Sequence, residues 1–163
     1  MELYLIRHGD AVPQHAPGIK NDADRTLTEE GKKELKRIAA GLAKVAEPPQ
    51  IILTSPLIRA RQTAEIVCQA FNLPGHVLQE DGRLSAGASP QNILELLQTL
   101  TQERVALVGH EPDFSRFISW LICGQARGNV AMKKGGVARI DFAGDQSELV
   151  WLLPPRITRA LDR

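Results

Sequence analysis

Three short apolar runs, each followed by an amphipathic stretch, constrain this chain more than any other feature. Leu3–Ile6, Ile51–Leu53 and Arg104–Val108 carry no polar alternation. A strand with one wet face alternates, whereas a continuous run suits a strand covered on both sides. Helical spacing follows each run. Thr28 reads as an N-cap ahead of Glu29 and Glu30, and Leu35, Ile38, Ala39, Leu42 and Val45 share one face until Pro48 and Pro49. Ser55 and Pro56 read as the cap and first residue of a second helix, with Leu57, Ala60, Ala64, Val67 and Phe71 inward. Ser89 and Pro90 open a third, with Ile93, Leu94, Leu96, Leu97 and Leu100 apolar. Asp113 reads as the cap of a fourth, whose stripe is Phe114, Phe117, Ile118, Leu121 and Ile122. His76–Leu78 supplies one more short strand. Strand–helix alternation of this kind builds a largely parallel α/β sheet.

The last part of the chain changes pattern. Lys133-Lys134-Gly135-Gly136 is a turn, Val137–Phe142 a strand, Gly144-Asp145-Gln146 a second turn and Leu149–Leu153 another strand. Two strands joined by so short a link are antiparallel. Pro154 and Pro155 close the pattern, leaving a polar tail from Arg156 to Arg163. With 163 residues, 43% of them hydrophobic and 24% charged, the chain is expected to form one domain over 1–163. No apolar stretch approaches a membrane span and the first residues carry no signal-peptide pattern, so a cytoplasmic location is expected. Cys68 and Cys123 lie far apart and form no CxxC pair, which points to two buried, reduced thiols. A formal charge of +1 gives nucleic acid nothing to bind.

In open α/β sheets, ligands bind beyond the carboxyl ends of the strands. Arg7 and His8 leave the first strand there, Arg59 stands just past the second, and His110 ends the one that begins at Arg104. Arg59 opposes the macrodipole at a helix start and has no local partner, whereas Arg61 is spaced to pair with Glu65. Two guanidinium groups and two imidazoles make an anion pocket. Arginine offers paired donors to phosphoryl oxygens, and an imidazole with one nitrogen protonated keeps the other as a nucleophile. Zinc is the rival use of two histidines, but His8 and His110 lack a third ligand and Arg7 would repel a cation. His15 and His76 sit at no strand exit and are read as surface residues.

Arg7-His8-Gly9, the block Thr54-Ser55-Pro56-Leu57-Ile58-Arg59-Ala60-Arg61-Gln62-Thr63-Ala64, and Gly109-His110 resemble the histidine phosphatase (phosphoglycerate-mutase-like) superfamily. Leu27-Thr28-Glu29-Glu30-Gly31 resembles its opening of the first helix. The short length and the Arg7-His8-Gly9-Asp10 start look like the SixA-type phosphohistidine phosphatases. The resemblance implies a three-layer α/β/α sandwich: a mostly parallel central sheet with the antiparallel C-terminal strand pair at one edge. It further implies that His8 is the nucleophile that becomes phosphorylated. Arg7, Arg59 and His110 bind the phosphate, water completes hydrolysis, and neither metal nor organic cofactor is used. The expected partner is a phosphorylated protein such as a histidine-containing phosphotransfer domain, with phosphate or a similar anion in the pocket.

One departure stands out. Many members carry an acidic residue after the third strand as general acid, whereas here Arg83 precedes Leu84-Ser85-Ala86. Glu80, Asp81 and, in the 11–27 loop, Asp24 are the candidates to replace it. Positioned acid catalysis is worth roughly 10²–10⁴-fold for an alkoxide leaving group. Imidazole leaves more easily, so a missing acid tilts the expectation towards phosphohistidine on a protein. The alternatives are a broad small-molecule phosphomonoesterase and a phosphate- or phosphoprotein-binding module without turnover.

Overall fold

The computed structural model describes residues 1–127 and 130–162; Arg163, the end of the expected tail, lies outside them. β1 (Glu2–Arg7), β2 (Ile51–Thr54), β3 (Leu78–Glu80), β4 (Arg104–Gly109), β5 (Val137–Asp141) and β6 (Glu148–Leu153) form one six-stranded sheet in the order β3-β2-β4-β1-β5-β6. β4 runs parallel to both β1 and β2, and β2 runs parallel to β3. β5 pairs antiparallel with β1 and β6 antiparallel with β5, so the C-terminal pair occupies one edge as expected.

Both sheet faces are covered, which accounts for the unbroken apolar runs. Leu3 and Leu5 point to one face, against Ile93, Leu96 and Leu97 of α3 (Pro90–Gln98) and Phe114, Phe117 and Ile118 of α4 (Asp113–Cys123). Tyr4 and Ile6 point to the other, against Ala39 and Leu42 of α1 (Glu29–Leu42) and Ala60, Ala64 and Val67 of α2 (Ile58–Ala70). Thr28 caps α1 and Ser89 caps α3, each accepting a backbone N–H three residues on. Among the described residues no helix is long and apolar enough to cross a membrane.

Several boundaries differ from the sequence-based expectation. α2 begins at Ile58, because Ser55 and Pro56 are taken up by the turn that leaves β2; Ser55 does not cap the helix. Asp113 is the first residue of α4 and not its cap, since its carboxylate is drawn away to the Gly87 N–H at 2.8 Å. β3 starts at Leu78, where pairing with Ile52 begins; Gly75–Val77 is a 3-10 turn. The tail is ordered into a fifth helix, α5 (Pro155–Leu161): the second of two prolines opens a helix because its missing N–H and fixed φ suit the first turn. Val45 lies beyond the end of α1 and Ile122 in the last turn of α4, and both are exposed. Arg61 reaches across to Glu80 at 3.0 Å rather than along its helix to Glu65. Cys68 is buried and Cys123 exposed, and both are free thiols. Trp120 and Trp151 are half-buried, the latter 6.1 Å from the Tyr4 ring.

α5 packs on α1 where Gly41 meets the Thr158 carbonyl; a Cβ at Gly41 would sit 1.8 Å from that oxygen. Alanine ordinarily stabilises a helix interior over glycine by about 1 kcal/mol. Here Gly41→Ala is expected to reverse that sign and cost about 1–3 kcal/mol, as over-packing does. Urea unfolding of the variant measures it; an unchanged or raised midpoint would mean that α5 does not rest on α1.

Candidate active site

Parallel pairing puts the carboxyl ends of β1, β2 and β4 side by side. Arg7 lies opposite Gly109, and the ladder continues one step beyond each strand: the His8 N–H donates to the Gly109 carbonyl at 3.1 Å and the Ser55 N–H to the Val108 carbonyl at 3.0 Å. His8, Ser55 and His110 are thereby fixed as neighbours by backbone hydrogen bonds alone. The two imidazole centroids are 5.3 Å apart.

Arg59 enters from the first turn of α2 and is 4% exposed, in keeping with its lack of a local partner at the helix start. Thr63, one turn further on, ties it to β1. Its hydroxyl donates to the Arg59 carbonyl at 2.8 Å and accepts the Gly9 N–H at 3.1 Å. Gly9 lets Leu35 of α1 pack close: a Cβ there would lie 2.2 Å from a Leu35 methyl, which would have to move. Gly109 similarly leaves room for the Phe114 ring.

The hydrogen bonds assign each nitrogen a task. His8 Nδ1 lies 2.7 Å from the Gly9 carbonyl. A carbonyl only accepts, so Nδ1 carries the proton and Nε2 keeps its lone pair. His110 Nε2 is anchored 2.8 Å from Ser55 Oγ. Arg7 donates through one terminal nitrogen to the Met132 carbonyl at 2.7 Å. Arg59 gives its terminal nitrogens to the Asp22 carbonyl at 2.7 Å and the Asp22 carboxylate at 2.8 Å. Among the described residues Arg7 Nε, Arg59 Nε and His110 Nδ1 are buried with no partner. Buried polar groups are nearly always paired, so unpartnered nitrogens on three residues of this one cluster need an explanation.

Burial pushes the His8 imidazole down to about 4, against the Gly9 carbonyl and with the help of the Arg59 and Arg7 charges. Burial and the neighbouring His8, then Arg59, push His110 down to about 3. Both rings are neutral at pH 7, while the guanidinium groups supply positive charge. Burial opposes ionisation of Asp22, yet Arg25 and Arg59 hold its carboxyl below the usual carboxylate range.

The three candidate acids are engaged elsewhere. Asp24 closes the short turn begun by Asn21, Glu80 pairs with Arg61 at 3.0 Å, and Asp81 grips Arg83 at 2.6 and 2.9 Å. Among the described residues none of them bonds to Arg7, His8, Arg59 or His110. The carboxylate that bonds to Arg59 is Asp22, a residue of the same 11–27 loop that the sequence does not single out. Ser55 was likewise read only as a cap. No spacing rule separates Asp22 from Asp24. His15 and His76 are exposed. Among the described residues no three His, Cys, Asp or Glu side chains group as a metal site requires.

Comparison with known proteins places this geometry among relatives. Residues 3–85 match the model of the histidine phosphatase superfamily (branch 1). The phosphohistidine phosphatase SixA of Escherichia coli is 32% identical over 77% of this chain and 76% of its own length. An uncharacterised Picosynechococcus sp. protein is 34% identical over 94% of this chain and 100% of its own. The solved structure of the protein histidine phosphatase SixA complexed with tungstate superposes with a TM-score of 0.84 at 25% identity, covering 96% of this chain and 99% of that one.

The histidines also set a pH dependence. Unfolded histidine titrates near about 6.5, and folded His8 and His110 near about 4 and 3, so the unfolded chain holds more protons between those values. The stability associated with these neutral rings is complete above about pH 6.5 and is lost as pH falls towards 4. The urea midpoint should drop between pH 7 and pH 5.5, and imidazole NMR signals of His8 and His110 should not titrate in that interval. A midpoint near 6.5 for either ring would contradict this.

Proposed function

Because the chain belongs to the histidine phosphatase superfamily, branch 1, we propose that it is a metal-independent phosphatase acting through a phosphohistidine on His8, with phosphohistidine on a protein as its substrate. One observation carries the reading. Arg7, Arg59 and His110, whose side chains act on the His8 imidazole or lie beside it, each hold a buried nitrogen with no partner among the described residues, and His8 Nδ1 is the nitrogen tied to a carbonyl. That arrangement suits a tetrahedral oxyanion: arginine N–H groups and an imidazole N–H take the oxygens while Nε2 meets the phosphorus.

His8 Nε2 attacks the phosphorus, and the bond to the leaving nitrogen breaks with its electron pair. The departing imidazole takes a proton from solvent. Water then attacks the same phosphorus, the bond to His8 Nε2 breaks, and orthophosphate leaves with the water oxygen. Arg7, Arg59 and His110 hold the charge on the oxygens in both steps. Asp22 keeps Arg59 oriented before the substrate arrives, leaving Nε for the phosphoryl group.

Two features support the phosphohistidine substrate. Glu80 is paired with Arg61, Asp81 with Arg83 and Asp24 with Asn21, none of them with Arg7, His8, Arg59 or His110 among the described residues, and imidazole departs with less acid assistance than an alkoxide. The connections that frame the site are also sparse: between β1 and α1 the regular structure is one 3-10 turn, Asp22–Asp24, and one bridge, Ala11 to Leu27. A phosphorylated side chain carried by a histidine-containing phosphotransfer domain can enter such a site while its bulk stays outside. The relative's name, protein histidine phosphatase, agrees with this choice.

The test is turnover on a phosphohistidine protein beside p-nitrophenyl phosphate, with EDTA present. The phosphohistidine substrate should be strongly preferred and His8→Ala inactive. Arg59→Ala should lose about 10²–10³-fold, as expected for a donor to developing negative charge. Comparable or better turnover of the ester would indicate a small-molecule phosphatase. Phosphate binding without turnover of any donor would indicate a binding module.

A further inference from the structure

Ser55 belongs to the turn after β2, is 0% exposed, and contacts His110, which is 2% exposed. Its hydroxyl has two partners among the described residues. The Leu57 N–H donates to Ser55 Oγ at 3.3 Å, and His110 Nε2 stands 2.8 Å from the same oxygen. A hydroxyl has one hydrogen to give, and a neutral imidazole has one donor nitrogen and one acceptor nitrogen. Two assignments are therefore open.

If His110 Nε2 carried the proton, it would donate to Ser55 Oγ. The Ser55 hydrogen would then have no acceptor, and His110 Nδ1 would present a buried lone pair to an anion. If instead Ser55 donates to Nε2, its oxygen accepts from Leu57, its hydrogen is used, and the proton of His110 resides on Nδ1. Nδ1 is the buried nitrogen without a partner in the ring beside His8. Only the second assignment satisfies every atom once an anion is bound.

We propose that Ser55 is a positioning residue that fixes the His110 tautomer, so that His110 offers an N–H rather than a lone pair to the anion held at His8. The two imidazoles then share one tautomer, with the proton on Nδ1, but present opposite chemistry. His8 is anchored through Nδ1–H to a carbonyl and exposes its Nε2 lone pair; His110 is anchored through Nε2 to a hydroxyl and keeps Nδ1–H. A strand-end carbonyl sets the nucleophile and a strand-end hydroxyl sets the donor. This role rests on the proposed phosphoryl chemistry for its purpose, but the tautomer is measurable without any turnover.

Long-range nitrogen–proton NMR of the intact chain distinguishes the two tautomers, and tungstate binding reads the donor. The wild type should show His110 as Nδ1–H with an unprotonated Nε2. In Ser55→Ala the signals should move towards the other tautomer, and tungstate affinity and kcat/KM should both fall at least tenfold. Ser55→Thr, which keeps the hydroxyl, should restore all three. An Nε2–H tautomer in the wild type overturns the proposal, and so does a Ser55→Ala protein with tungstate affinity within twofold of wild type. If the tautomer and tungstate results are as expected but no phosphodonor is turned over, the positioning role stands and the catalytic reading fails.

Discussion

Parallel hydrogen bonding of β4 to both β1 and β2 is the constraint on which the site depends. It brings three chain segments to one edge in fixed register, and the ladder runs on one residue past β1 and β2, to His8 and Ser55. No side-chain interaction is needed to bring His8 and His110 together. The buried, two-faced packing that stabilises the strands therefore also sets the spacing of the imidazoles. Thr63 then extends the register to the first turn of α2, linking the Arg59 carbonyl to the Gly9 N–H. A rigid sheet edge is better suited than a loop to hold reacting groups within fractions of an ångström.

Burial gives these groups their chemistry. In water an imidazole is partly protonated near neutrality; here desolvation and adjacent guanidinium charge keep both rings neutral. Neutrality preserves the His8 lone pair. The same guanidinium charges that disfavour protonation favour an anion beside the rings, so in the proposed reaction one field would prepare both nucleophile and electrophile. Asp22 offsets part of that field in the free protein by engaging Arg59.

Much of this was legible in the sequence, for identifiable reasons. Unalternating runs announce buried strands, and proximity to a strand's carboxyl end picks out Arg7, His8, Arg59 and His110 without reference to any contact. Periodicity placed the core of each helix but not its ends: Val45 and Ile122 continue their stripes after burial has ceased. Pro154-Pro155 looked like a stop and begins α5, since proline ends and starts helices for related reasons. Asp22 and Ser55 escaped because their parts depend on three-dimensional partners. Asp22 differs from Asp24 only in which side of a 3-10 turn it occupies, and Ser55 has every local attribute of a helix cap while its hydroxyl faces His110.

The central claim is that the Nε2 lone pair of His8 attacks phosphorus. The most direct measurement is to quench the protein during turnover of a labelled phosphodonor, locate the phosphoryl group by peptide mapping, and identify the bonded nitrogen by phosphorus NMR. The account predicts an acid-labile, base-stable phosphoryl group on His8 Nε2, absent from His8→Ala. Label on His110, or continued turnover with no label on the protein, would contradict it.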